Sequence, residues 1–335
     1  MTRPSARALV WNDREGRLRT PWRLALALAV VVLAGLAGAL VGNAVAAAGR
    51  AGGPVVAAVA ATAGQVLLLA ALAAGLLAAA VALDRRRLRD LGLERSRAWW
   101  ADLGFGLALG SVLPGVVFAL EVAAGYATVT GTVVTRAGAT LPPAAGVPFA
   151  VAFALTALYF VAVAGFEELL FRGYLLGTLA EGLRWRDSLG VRGALAGATV
   201  LTSAAFGLGH ATNPSATGRG VVIIGLYGVF LAAGYLATGR LAVPLGVHVT
   251  WNLSVSSVFG FPVSGVSTPV TLVAVEQTGP ALVTGGRFGP EAGLVSLVAL
   301  AAGFGALAAW VRRREGAVAL VTGTRPDLRA GDDGR

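Results

Sequence analysis

Residues 24–48 read LALALAVVVLAGLAGALVGNAVAAA and contain no ionisable side chain. A helix needs roughly 20 apolar residues to cross a hydrocarbon core about 30 Å thick, and this stretch is long enough to do so. It is also longer than the apolar part of a secretory signal peptide, which has about 7 to 15 residues. The stretch therefore predicts a membrane span that remains in the mature protein.

The rest of the chain repeats this pattern. Of its 335 residues, 56% are hydrophobic and 13% are charged, and the mean hydropathy is +0.75. A soluble globular protein has about 25% charged residues. We therefore predict an all-α, polytopic membrane helix bundle of about eight transmembrane helices, in which small residues such as Gly106 and Gly110 let helices pack closely. The seven further apolar stretches are residues 55–83, 103–124, 147–170, 194–210, 220–237, 241–258 and 294–311.

The net charge is +10, and all the basic residues are arginines. Their positions indicate whether they bind nucleic acid or lie in the loops of a membrane protein. A nucleic-acid-binding protein concentrates basic residues on one face, whereas a membrane protein concentrates them in its cytoplasmic loops. With eight spans, 23 of the 27 arginines fall in alternate segments and four in the others. This bias predicts that both termini are cytoplasmic and argues against nucleic acid as a partner. The arginine-rich segments are residues 1–23, 84–102, 172–193, 240 and 312–335.

The predicted organisation has three parts. A cytoplasmic N-terminal segment (residues 1–23) precedes a transmembrane domain (24–311), and a cytoplasmic tail (312–335) follows it. The tail is rich in Gly, Asp and Arg, a composition typical of disordered segments. Residues 260–291 are predicted to lie outside the cell. The chain has no cysteine, so it has no disulfide, no thiolate metal site and no cysteine nucleophile.

Ionisable side chains inside membrane spans cost about 2.5 to 3.5 kcal/mol each and are therefore candidates for function. Glu121 stands outside any motif, and we predict that it is interfacial or hydrogen-bonded to a neighbouring residue. The other candidates are polar or aromatic residues of three spans, and they include the only two histidines of the chain: Glu167, Glu168, Arg172, Phe206, His210, His248 and Asn252.

The two adjacent glutamates are predicted to differ in role. Successive residues of a helix point about 100° apart, so Glu167 and Glu168 face different neighbours. Glu168 and Arg172 lie four residues apart on one helix face, which favours a partly buried ion pair. Glu167 has no such partner in the sequence and is left free to act.

Two later spans each carry a pair of residues one helical turn apart, Phe206 with His210 and His248 with Asn252. Together with the glutamates these pairs are predicted to line one inner cavity, in which Phe206 on its own is best read as a packing residue. His210, however, lies near the outer end of its span, while Glu167 lies nearer the cytoplasmic end. The two side chains can meet only if the fourth helix continues past Leu170 to about residue 179, or if the fifth helix begins later than residue 194.

The same residues form three motifs in order: EExxxR from Glu167 to Arg172, FxxxH from Phe206 to His210, and HxxxN from His248 to Asn252. In these motifs the chain resembles the CAAX protease and bacteriocin-processing family of intramembrane endopeptidases, also called the Abi family. Its members include the type II CAAX prenyl endopeptidases. The resemblance covers about residues 147–258.

The resemblance implies a role for each motif residue. Glu167 would activate the attacking water, and His210 would assist it. His248 and Asn252 would bind a metal ion or stabilise the oxyanion. The supporting residues would be Glu168, Arg172 and Phe206.

The sequence leaves the use of metal open. Glu167, His210 and His248 are suitable ligands for Zn²⁺ with an open position for water. The same groups can also work without metal, with the glutamate as general base and the histidines and Asn252 as hydrogen-bond donors to the oxyanion. The HExxH motif of zinc proteases is absent.

The predicted function is that of an intramembrane endopeptidase in the plasma membrane of a bacterium. It would hydrolyse a peptide bond near the cytoplasmic side of the bilayer, in a membrane-anchored or lipidated protein or in a hydrophobic peptide. Two alternatives stay open. One is a proton-coupled secondary transporter, in which the Glu and His side chains form a proton relay. The other is a membrane scaffold that has the motifs but no activity.

Overall fold

The computed structural model describes residues 6–13, 15–136, 138–141, 146–184 and 189–319. These residues form a helical bundle, as the sequence predicts. Each predicted span corresponds to one main helix. In chain order the helices are α1 (Thr20–Gly49), α2 (Gly53–Ala82), α3 (Arg97–Ala123), α4 (Phe149–Leu183), α5 (Gly190–Gly209), α6 (Gly218–Thr238), α7 (Ala242–Leu253) and α8 (Val295–Glu315).

Among the described residues, six helical stretches are long and apolar enough to cross a membrane. The first of them, Thr20–Ala82, contains both α1 and α2, which are joined by the 3₁₀ turn Arg50–Gly52. The shortest main helix, α7, has 12 residues and continues as a π-helical segment, Ser254–Val258. The helical membrane bundle is thus confirmed, while the count of eight spans stays a prediction.

Glycines bring α3 and α7 into backbone contact. A Cβ atom added at Gly106 would press on the carbonyl oxygen of Val243, and one added at Gly110 would overlap the carbonyl oxygen of Val247. Small residues allow this approach, which is one of the main sources of helix association in lipid. The contact fixes α7 against α3, and α7 carries two of the candidate site residues.

The all-α prediction is incomplete, because the described residues also form two small antiparallel sheets. Residues of the strand β1 (Ala127–Thr135) are mostly Val and Thr, whose branched side chains suit strands. The partner of this strand lies more than a hundred residues further along the chain, so the pairing has no local signal. The strands are β1 (Ala127–Thr135) with β2 (Val270–Gln277), and a short N-terminal ribbon, Trp11–Asn12 with Arg17–Leu18.

The ends of the predicted transmembrane domain are only partly described. A short helix, Ala6–Val10, precedes the N-terminal ribbon. At the other end α8 continues to Glu315, so the predicted tail begins inside a helix rather than after it. The predicted disorder of the tail concerns residues from 320 onward, which lie outside the described residues.

A cluster of buried charges joins the beginning of α1 and the end of α2 to the end of α4. Asp84, just after α2, pairs with Arg23 and accepts a 2.7 Å hydrogen bond from the hydroxyl of Tyr174. A buried charge is tolerated only when it is paired, so this cluster holds the α1–α2 hairpin on α4. Arg23 and Arg86 lie in segments that the sequence assigns to loops, so their burial was not predicted. Glu181 of α4 accepts hydrogen bonds from three buried arginines: Arg17 (3.1 Å), Arg23 (3.0 Å) and Arg86 (2.8 Å).

Helix α4 is continuous through the glutamate motif. It is α-helical over Phe149–Glu168, π-helical over Leu169–Leu176 and α-helical again over Gly177–Leu183. The prediction that this helix continues past Leu170 is therefore confirmed. The alternative, a late start of the fifth helix, is wrong, since α5 begins at Gly190. Segments of π-helix occur frequently at functional sites, and this one starts directly after Glu168.

Reporter fusions will test the predicted orientation in the membrane. We expect a reporter fused after Arg314 to give a cytoplasmic signal and one placed within residues 130–140 to give an external signal, because arginine-rich segments stay in the cytoplasm. A fluorescent protein that matures only inside the cell and a phosphatase that is active only outside it provide the two readings. The same reading at both positions would contradict the eight-span topology.

Candidate functional site

The centre of the candidate site is an ion pair within α4. The guanidinium of Arg172 donates a 2.8 Å hydrogen bond from Nη1 to Oε1 of Glu168, and both side chains are at most 2% exposed. Arg172 also donates from Nη2 to the carbonyl oxygen of Gly228 on α6, at 3.1 Å. The predicted pair is therefore present, and it is fully buried rather than partly buried.

His248 of α7 joins this pair, which the sequence analysis did not predict. Its Nδ1 lies 2.7 Å from Oε1 of Glu168. A carboxylate held by an arginine accepts hydrogen bonds and does not donate them, so Nδ1 carries the proton. The other ring nitrogen, Nε2, is then directed away from Glu168. In this way Glu168 orients the His248 ring in addition to pairing with Arg172.

Glu167 lies on the other side of the same imidazole. Its Oε2 is 3.8 Å from Nε2 of His248, which is too long for a direct hydrogen bond. This oxygen is buried and has no hydrogen-bond partner among the described residues, although the side chain as a whole is 24% exposed. A water molecule at about 2.8 Å from both atoms would satisfy both. Oε2 of Glu167 thus makes no hydrogen bond among the described residues, and its role as a free carboxylate stays a prediction.

His210 stands at the end of α5, where it is half-buried. Its Nδ1 lies 2.8 Å from the carbonyl oxygen of Phe206, and because a carbonyl only accepts, Nδ1 carries the proton. Nε2 of His210 is left available, as it is in His248. Among the described residues, no hydrogen bond or ion pair joins His210 directly to Glu167 or Glu168.

Phe206 links the two histidines by packing. Its ring centre lies 5.1 Å from that of His210 and 5.9 Å from that of His248, in both cases edge to face. The guanidinium of Arg172 lies 4.5 Å from the same ring centre, which is within the range of a cation–π contact. Phe206 is therefore a packing residue, as predicted. The side chains that it packs against belong to the candidate site: His210, His248 and Arg172.

Asn252 lies one turn after His248 and is 9% exposed. Its side chain makes no hydrogen bond to any residue that the structure describes, so its amide is available to a ligand. The neighbouring Trp251 was not singled out from the sequence. Its indole donates a 2.8 Å hydrogen bond to Glu291, and its ring packs on Tyr227 at 4.7 Å. These contacts fix the orientation of α7 at the level of Asn252.

Glu121 and Tyr159 are two further ionisable residues in the helices of the bundle. Glu121 is buried and accepts a 2.7 Å hydrogen bond from Gln277 of β2, which confirms the predicted bond to a neighbour and places Glu121 outside the site. Tyr159 of α4 was missed, although it lies two turns before Glu167 and within electrostatic range of its carboxylate. An isolated tyrosine in an apolar span gives no signal of this in the sequence.

The chemistry of the donors suits zinc, but their arrangement is less favourable. Each histidine donates Nδ1–H to an acceptor and keeps Nε2 available, as metal-bound histidines do. Within the part of the chain that the structure describes, however, no group of three His, Asp or Glu side chains is close enough together to hold a metal ion. The proposed zinc ligands Glu167, His210 and His248 therefore stay a prediction.

Comparison with known proteins identifies the part of the chain that carries these residues. Residues 148–254 match the family model described as type II CAAX prenyl endopeptidase Rce1-like. The match runs from α4 to the end of α7 and contains all the candidate site residues from Glu167 to Asn252. It confirms the resemblance drawn from the three motifs. No curated protein and no solved structure matches the chain.

Proposed function

We propose that this chain is an intramembrane endopeptidase that hydrolyses a peptide bond in a membrane-associated or lipidated protein. The observation that carries the proposal is the connected series Arg172–Glu168–His248, with Glu167 at 3.8 Å from the far side of the imidazole. These residues lie within the segment that matches a family of prenyl endopeptidases. The site thus combines a free carboxylate with an oriented histidine, which are the groups that water-mediated hydrolysis requires.

Glu167 acts as the general base in this proposal. It removes a proton from a water that lies between its Oε2 and Nε2 of His248. The resulting hydroxide attacks the carbonyl carbon of the substrate, and Glu167 then passes the proton to the amine that leaves. The proposal is supported by the absence of any hydrogen-bond partner for Oε2 among the described residues, which leaves this oxygen able to accept a hydrogen bond from the attacking water.

The remaining polar groups stabilise the negative charge that develops on the carbonyl oxygen. The amide of Asn252 is one donor on α7, and Nε2 of His248 and Nε2 of His210 are donors when their imidazole rings are protonated. Donors that are fixed before the reaction contribute most to this kind of stabilisation. Glu168 and Arg172 act through His248, whose ring they hold in place.

A proton-coupled transporter fits these observations less well. Glu168 is held by Arg172 and His248, which leaves Glu167 as the one glutamate of the pair free to exchange protons. The family match also favours a protease. A scaffold without activity predicts the same contacts as the protease, so an assay is needed to separate them.

A cleavage assay tests the proposed function and the use of metal together. Purified protein in phosphatidylcholine vesicles is given a quenched fluorescent peptide with a prenylated cysteine and, separately, a quenched apolar spanning peptide. We expect cleavage of at least one of them. Loss of activity on adding a chelator, restored by Zn²⁺, would support zinc ligation by Glu167, His210 and His248. Full activity in chelator would support the metal-free mechanism, and failure to cleave either peptide would contradict the proposal.

A further inference from the structure

A groove runs between α2 and α4 on the side of the bundle where these two helices meet β2. Its empty volume is about 440 Å³, which includes space open to the surroundings of the bundle. Most of its lining is apolar, but Thr62, Gln65, Thr156 and Tyr159 bring four uncharged polar groups into it. The hydroxyl of Thr156 already donates to the carbonyl oxygen of Ala152 in its own helix. Tyr159, in turn, lies on α4 two helical turns before Glu167. The groove therefore lies beside the candidate site along α4.

Gln65 is the residue that indicates a ligand. It lies 12 residues after Gly53, the first residue of α2, and at 1.5 Å per residue this places it about 18 Å along the helix. Its side chain is exposed and makes no hydrogen bond to any residue within the described ranges. An amide in hydrocarbon that lacks hydrogen-bond partners costs several kcal/mol. A position in the middle of a span is thus unfavourable for Gln65 unless a bound molecule supplies the partners.

We infer that the groove binds a segment of the substrate's polypeptide in an extended conformation, within the membrane. The inference rests on the proposed function and assigns the substrate class: a protein with an apolar spanning segment. An extended backbone offers an N–H and a C=O at every residue, and in hydrocarbon these groups must be paired. Gln65, Thr62 and Tyr159 can pair with them. A prenyl or acyl chain has no polar group for Gln65 and would leave its amide unpaired.

The dimensions agree with this occupant. Tyr159 and Glu167 are eight residues apart on α4, which is about 12 Å along a helix. An extended peptide advances about 3.3 to 3.6 Å per residue. A peptide residue that contacts Tyr159 therefore lies about three to four residues from the bond that Glu167 reaches. Segments that unwind easily over this length, such as those containing Gly or Pro, are expected to be preferred.

Cross-linking tests binding in the groove without requiring catalysis. The chain has no cysteine, so one introduced cysteine can carry a benzophenone at a known place. Ala58 lines the groove, and its neighbour Val59, 45% exposed, does not. In the Glu167→Gln background, we expect Ala58→Cys to cross-link a biotinylated apolar spanning peptide far more than Val59→Cys does. Unlabelled spanning peptide should compete, and Gln65→Leu should reduce the yield.

Kinetics in the wild-type background provide the second reading. Gln65→Leu should raise KM for the spanning peptide about three- to tenfold with little change in kcat, the effect of one lost hydrogen bond. The lipid-facing change Leu67→Val serves as the control. Equal cross-linking from positions 58 and 59, or competition by a short prenylated peptide but not by the spanning peptide, would overturn the inference. Specific cross-linking without any cleavage would instead leave the groove intact and contradict the proposed function.

Discussion

Glu167→Gln is expected to lower the rate of peptide-bond cleavage by about 10²- to 10⁴-fold, the usual contribution of a general base. The melting temperature in detergent should stay close to that of the wild type. Both expectations follow from the surroundings of the carboxylate. Its Oε2 has no hydrogen-bond partner among the described residues, so an amide of the same shape removes the base and breaks no hydrogen bond of the folded protein. The measurements are a single-turnover rate and a thermal melt.

Glu121→Gln is the matched control for this change. Glu121 is also a carboxylate within a predicted span, but it is buried, accepts a hydrogen bond from Gln277 and lies outside the site. We expect it to cleave at a rate near that of the wild type per folded molecule. If Glu167→Gln cleaved at the wild-type rate, Glu167 would not be the base and the mechanism would be wrong, even with the family match unchanged.

Contacts within one helix were predictable from the sequence. The spans follow from composition, because hydrocarbon accepts few other sequences. The pair Glu168–Arg172 follows from a spacing of four residues, which any helix places on one face. The same geometry leaves Glu167 without an ion-pair partner within α4, because its neighbour Glu168 is the residue that pairs with Arg172.

Contacts between helices were not predictable. Glu168 and His248 lie 80 residues apart, and their hydrogen bond depends on how α4 and α7 pack. The buried arginines Arg23 and Arg86 look like ordinary loop charges, because their partners are distant in the sequence. Asp84 lies 61 residues after Arg23, and Glu181 lies 95 residues after Arg86. The strand β1 has a suitable composition, but it becomes a strand only by pairing with β2. In each case the missing information is a partner far away in the chain.

The ion pair of Glu168 and Arg172 gives the second large effect. Removing one partner of a buried pair typically costs about 3 to 5 kcal/mol, because the other charge is left unpaired, whereas replacing both can be nearly neutral. Glu168→Gln and Arg172→Gln should therefore each lower the melting temperature in detergent. The double substitution should recover part of the loss. Recovery should be incomplete, because Arg172 also bonds to Gly228 and lies over the ring of Phe206.

The two single variants should differ in activity even though both lose stability. Arg172→Gln keeps the carboxylate that holds Nδ1 of His248, at 2.7 Å in the wild type. Glu168→Gln replaces that carboxylate with an amide, which is a weaker acceptor and can also turn its NH₂ toward the ring. Per folded molecule, Glu168→Gln should therefore cleave more slowly than Arg172→Gln, and the double variant should resemble Glu168→Gln. Equal rates for the two single variants would show that Glu168 acts on stability alone, and that His248 needs no orienting partner for catalysis.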